Sequence, residues 1–236
     1  AAAAPVAAAA AEARGGGGGG QEQRASPAAT AVTASGAGCL CCYCWGEGLC
    51  GGGCPGTLVL RAADGFSRNM VFANQIDVLQ RYAGLGQNSA QQQAKFLSAV
   101  CSSTPAIAGW AAKRWGWSLE KAVVAGCLFE ALGISALVAA SAGAAVGPSA
   151  VVAGLFVPFA CGYGLLVTAL PVVGMEEVAP QLKAAFSQRF FACLAAGGIL
   201  GILGSGAAQT LDAYPAGFLA SLLALLAGTA AFAGRR

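Results

Sequence analysis

Six of the ten cysteines fall within sixteen residues, at Cys39, Cys41, Cys42, Cys44, Cys50 and Cys54, and thiolates at that density can hold a metal ion. The pairs Cys41-x2-Cys44 and Cys50-x3-Cys54 would supply four sulfurs for tetrahedral zinc. The five residues between the pairs fall short of the roughly 12 to 20 that separate the ligand pairs of zinc modules. Palmitoylation beside a membrane segment and low-complexity drift compete with the metal reading, and no cofactor is expected. The other four, Cys101, Cys127, Cys161 and Cys193, stand singly in apolar stretches and read as small hydrophobic fillers. A second group with chemical potential is polar: Asp64, Arg68, Asn69, Asn74, Gln75, Asp77 and Arg81, followed at a distance by Glu130. Asp64 with Arg68, and Asp77 with Arg81, are spaced to pair along one helix face. An unpaired charge at the centre of a bilayer costs about 3 kcal/mol or more. Asp64, Arg68, Asn74, Gln75 and Asp77 are therefore expected to line an aqueous cavity and bind or gate a solute. The competing reading is that the pairs neutralise each other near the membrane edges. Glu130 has no basic neighbour in sequence. It is expected to meet Arg68 or Lys95 across a helix bundle, or to pack as the neutral acid.

Composition decides what kind of protein must position these groups. Of 236 residues 57% are hydrophobic, 10% are charged and none is His. Soluble domains carry about 25% charged residues, so this chain cannot cover a water-facing surface, and a lipid bilayer is its expected partner. Without His there is no Ser-His-Asp triad, Cys-His dyad or His-ligated metal, and no enzymatic function is expected. A net charge of +3 is too small for a nucleic-acid partner. The segment 1–56, rich in Ala and Gly with six consecutive glycines at Gly15 to Gly20 and the Cys cluster at its end, reads as a disordered tail. Its Ala and Arg content is weighed against Glu12 and Glu22 as a transit-peptide remnant. With no Met at its start, the chain is expected to be processed or a fragment.

From residue 57 to 236 the spaces between charges set the architecture. No charge occurs between Lys95 and Lys113, Glu130 and Glu176, Arg189 and Asp212, or Asp212 and Arg235. A spanning helix needs about 20 apolar residues, so the second of these gaps is two helices, broken at Ser141 to Pro148. The expected fold class is an all-α membrane protein of six transmembrane helices: Leu58 to about Leu85, Ser89 to Ala112, Leu119 to Ala140, Ser149 to Gly174, Phe186 to Ala208 and Pro215 to Gly234. Basic residues collect on the cytoplasmic side of membrane proteins. Six spans put Arg61, Arg68, Lys113, Arg114, Lys121, Lys183, Arg189, Arg235 and Arg236 on one side and Arg81 and Lys95 on the other. Both termini are therefore expected inside. Trp110, Trp115 and Trp117 flank the same basic turn as interfacial anchors.

That turn, Gly109-Trp-Ala-Ala-Lys-Arg-Trp-Gly-Trp117, resembles the signature between the second and third helices of the major facilitator superfamily, roughly Gly-x-Leu-Ala-Asp-Arg-x-Gly-Arg-Arg. Gly109, Ala112, Arg114 and Gly116 fall in register. Lys113 stands where the family has an acid and Trp117 where it has a base, so the family's charge and helix-dipole latch lacks its acid. Arg61-x-x-Asp64-Gly65 is similar to the start of a first family helix. Gly162, Gly164 and Pro171 are similar to the fourth, with Pro158 in place of an intramembrane Arg, and Gly197, Gly198, Gly201, Gly204 and Gly206 resemble the glycine-rich fifth. The same small residues also serve ordinary helix packing. The resemblance implies a fold of two three-helix repeats. It implies one half of a carrier that moves a small solute by alternating access, completed by a second six-helix half from the same or another chain. The contrasting expectation is a non-transporting structural subunit of a larger membrane complex. Asp64, Arg68, Gln75 and Asp77 should face a polar groove in the first case and a closed apolar interface in the second.

Overall fold

The computed structural model of the protein describes residues 54–235. Cys41, Cys44, Cys50 and nearly all of the expected tail lie outside the described residues, as does Arg236. The described chain is all helical: α1 (Cys54–Arg81), α2 (Gln87–Arg114), α3 (Leu119–Ser141), α4 (Pro148–Glu176), a 3-10 turn at Pro180–Leu182, α5 (Lys183–Thr210) and α6 (Tyr214–Ala233). Helix α1 begins at Cys54, so Cys54, Pro55 and Gly56, expected in the tail, are helical. α3, α4, α5 counted with the turn before it, and α6 are long and apolar enough to cross a membrane.

Local sequence explains the boundaries. Ser118 caps α3 through its side-chain oxygen, which accepts from the Lys121 N–H, and Glu120 in the first turn complements the helix dipole. Pro148 opens α4 where its missing N–H costs nothing. Pro158, inside α4, removes a donor, and the helix absorbs the loss as one π turn over Leu155–Phe159.

The turn between α2 and α3 is closed by a glycine. Gly116 adopts φ +64°, its N–H donates to Lys113 C=O, and the Trp117 N–H reaches Ala112 C=O at 2.9 Å. This double bond satisfies the last carbonyls of α2 and folds Trp117 back onto it. No atom lies within 4 Å of where a Gly116 Cβ would be, so the requirement is purely one of backbone conformation. Gly116→Ala is expected to lower stability by about 1 kcal/mol, measured as a shift of the unfolding transition in detergent. An unchanged transition would mean the turn relaxes out of the left-handed region.

Packing follows a pattern. α1 lies chiefly on α5 and α6, α4 chiefly on α2 and α3, and α3 touches α6. Exchanging the first three helices for the last three maps this pattern onto itself. Small residues permit the approach: Gly197 and Gly201 meet the α1 backbone at Ala62 and Phe66, and Gly162 of α4 meets Glu130 of α3. Large apolar side chains point outward from α5 and α6, including Ile199, Leu200, Ile202, Leu203, Leu223 and Leu226. Helix α2 is different. Its outward residues include Asn88, Gln91, Gln92, Lys95, Ser98, Ser102 and Ser103, while it buries only Ala90, Ala94, Leu97 and Cys101.

Candidate functional site: a buried charge cluster joining α1, α3 and α4

Helical spacing brings Arg61, Asp64 and Arg68 to one face of α1, and that face is buried. Asp64 accepts from Arg61 Nη1 at 2.7 Å and also pairs with Arg68 Nε. Arg68 Nε further lies 3.2 Å from Glu130 Oε1 of α3. The Asp64 and Glu130 side chains are fully buried, and the two guanidiniums retain only 6% and 7% exposure. With both acids ionised the two cations and two anions balance, which is what an apolar interior requires of a buried cluster. Aromatic faces complete its walls: Arg68 sits 4.2 Å above the Tyr163 ring of α4, and Arg61 lies 4.8 Å from the Phe190 ring of α5. Arg68 Nη2 and Glu130 Oε2 are buried with no hydrogen-bond partner among the described residues.

The remaining expected site residues are placed one or two turns further along α1. Asn74 is buried, donating to Met70 C=O and accepting from Gln209 Nε2 of α5 at 3.0 Å. Gln75 and Asp77 are half-buried. Asp77 accepts from the Tyr214 hydroxyl at 3.0 Å, and Arg81 pairs with Asp212 and lies over Tyr214. The expected Asp77–Arg81 pair is thus replaced by two contacts to the α5–α6 end, because that end brings Asp212 and Tyr214 within reach of both side chains. The Asp64–Arg68 spacing does produce a pair, and Glu130 meets Arg68 rather than Lys95, which is exposed on α2. Gly109 is half-buried at 3.3 Å, measured from its would-be Cβ, from Thr168, and Lys113, Arg114 and Gly116 are exposed at the α2–α3 turn. Arg61 and Arg68 belong to the interior of α1, so the nine basic residues of the positive side fall to seven that lie outside the charge cluster.

Two features lie outside the expected site. Arg235, after α6, donates to Glu177 beyond α4, to Glu120 at 2.9 Å in the first turn of α3 and to the Phe232 carbonyl, and Glu177 accepts from Thr57 of α1 at 3.1 Å. The start of α1, the start of α3, the end of α4 and the end of α6 therefore meet in one polar knot. Its side-chain to side-chain bonds join residues 58 to 120 apart in sequence, so no local pattern could reveal it. The polar face of α2 did leave a signal, the recurrence of Gln, Asn, Lys and Ser every three or four residues from Asn88 to Ser103.

No family model matches the chain. No curated protein matches it either. Among solved structures it is similar to a crystal structure of a mutant of the peptide transporter POT in complex with sulfate, with a TM-score of 0.69 and 20% identity over 77% of this chain and 37% of that one. At that identity the likeness is one of fold, and this chain spans little more than a third of the transporter's length. The shared fold and the long apolar helices make the chain a multi-pass membrane protein.

Proposed function

We propose that residues 57–236 form one half of a secondary carrier of the major facilitator type. Six membrane-crossing helices in two three-helix repeats would move a small solute by rocking against a second half, from this chain's own extension or another copy. The observation that carries this reading is the combination of the transporter-like fold with a helix, α2, whose outward face from Asn88 to Ser103 is polar but for Phe96 and Ala99. In a bilayer such a face needs water or protein against it. The self-matching packing of the two helix triplets supports the repeat reading, and the knot around Arg235 supports a common side for both ends of the domain, which we assign to the cytoplasm. The segment before residue 54 acts as a tail and the domain carries no enzymatic chemistry.

In this proposal Asp64 and Arg68 act from behind the pathway with Asn74, Gln75 and Asp77. Arg68 Nη2, Glu130 Oε2 and Gln75 Oε1 are among the buried atoms with valence left for a solute or water. The burial of Asp64 and Arg68 in mutual ion pairs also favours a second reading, a structural subunit that transports nothing. Reconstitution into vesicles separates the two. Uptake of a panel of labelled small solutes, short peptides included, should exceed that of protein-free vesicles. Gln92→Leu with Ser102→Leu on the exposed α2 face should lower uptake at least tenfold without moving the unfolding transition. Wild-type vesicles indistinguishable from empty ones across the panel, with the second half supplied, would leave the structural reading.

A further inference from the structure

The basic end of α2 carries a feature that neither reading uses. Between α2, α3 and α4 an apolar cavity of about 250 Å³ is walled by Ile107, Ala111, Trp115, Trp117, Phe129 and Leu165. A second of about 270 Å³ shares Ala112, Trp117 and Leu165 with it and extends to Lys113 and Leu119. At the mouth the Trp115 and Trp117 rings stand 5.7 Å apart, and both are exposed, Trp115 to 66%. The glycine closure of the α2–α3 turn holds Trp117 there. Lys113 and Arg114 occupy the last turn of α2, both exposed and without an ion pair among the described residues. The next acid in the chain, Glu120, is engaged by Arg235. The slot is thus apolar along its length, amphipathic at its rim and positively charged just beyond.

We propose that this slot binds one anionic phospholipid. An acyl chain lies in the apolar cavity, the glycerol ester region rests against Trp115 and Trp117, and the phosphate sits between Lys113 and Arg114. The vertical order of the groups argues for a lipid, since apolar wall, indole belt and cation succeed one another as tail, interface and headgroup do in a leaflet. Charge decides the headgroup class. Two unpaired cations with no acid beside them attract a net negative headgroup, and they offer nothing to the ammonium of a zwitterionic one. The inference rests on membrane residence and not on transport, so it stands or falls separately from the carrier reading.

Native mass spectrometry of the full chain in detergent, titrated with phosphatidylglycerol or phosphatidylcholine of equal chain length, tests it. Phosphatidylglycerol should be retained at least tenfold more tightly. Each basic side chain at a membrane surface contributes about fivefold to anionic lipid binding. The double variant Lys113→Ala with Arg114→Ala should therefore lose roughly 25-fold for phosphatidylglycerol and nothing for phosphatidylcholine. Its unfolding transition without lipid should match wild type, because both side chains are exposed. Ala112→Phe, which fills the slot, should weaken both lipids alike. Equal retention of the two lipids by wild type would overturn the proposal, as would full retention of phosphatidylglycerol by the double variant. Displacement by glycerol phosphate as readily as by lipid would make the place a soluble-anion site. A loss of dimer with no loss of lipid in Ala112→Phe would make it a contact between copies.

Discussion

Asp64→Asn is expected to cost about 3 to 5 kcal/mol of stability, the price of leaving buried charge without its counter-charge. Asp64 is fully buried and is shared by two guanidiniums, so its neutral analogue leaves two cations facing a single carboxylate, that of Glu130. Neither cation can turn to water from its present position, with 6% and 7% side-chain exposure. The expected readout is a large fall in the midpoint of unfolding by denaturing detergent, with membrane insertion retained. Charge, and not shape, is the cause if Asp64→Asn with Arg61→Gln recovers more than half of the loss. That pair restores a neutral cluster of Arg68 and Glu130 while giving up the Arg61 contact with Phe190. A double variant as unstable as the single one would mean that Asp64 matters through packing. The exposed pair supplies the contrast: Arg81 and Asp212 are 50% and 73% exposed, so Asp212→Asn should cost under about 1 kcal/mol.

The cluster shows how far a sequence can be read and where it stops. Charge-free intervals located α3, α4, α5 and α6, because the bilayer demands about 20 apolar residues per crossing, and that demand is written locally. Spacing also placed Asp64 and Arg68 on one face of α1, which the ion pair reflects. Which helix that face meets is not written locally. The partners Glu130, Tyr163 and Phe190 come from three other helices, selected by where Gly162, Gly197 and Gly201 let backbones approach. The same limit explains Asp77 and Arg81. Their spacing permits a pair, yet Asp212 of the α5–α6 turn and Tyr214 of α6 take both. Counting charges alone also hid the polar face of α2, because Gln, Asn and Ser carry none. A count of all polar side chains by helical face separates α2, polar outward, from α5, apolar outward.

The other large effect expected is at the α1–α5 seam. A Cβ on Gly197 would fall well inside contact distance of the Ala62 carbonyl oxygen, and one on Gly201 would lie 2.5 Å from that of Phe66. The obstacle in each case is backbone, which cannot swing aside as a side chain can. Gly197→Val must therefore push α5 off α1, and overpacking of this kind costs about 3 kcal/mol or more. Separation propagates along the seam, because the same two helices hold Phe190 under Arg61 at one end and Gln209 against Asn74 at the other. Gly206 provides the control on the same helix. It is exposed with nothing within 4 Å of its would-be Cβ, so Gly206→Ala relieves a helix-interior glycine and should be neutral or stabilising by about 0.5 to 1 kcal/mol. Unfolding in denaturing detergent should thus move in opposite directions for two glycines nine residues apart. Equal shifts would mean that both act through helix propensity and that α1 and α5 are not in backbone contact. A large loss confined to Gly197→Val would locate the rigidity of the domain in this seam, which any rocking of the domain as one body requires.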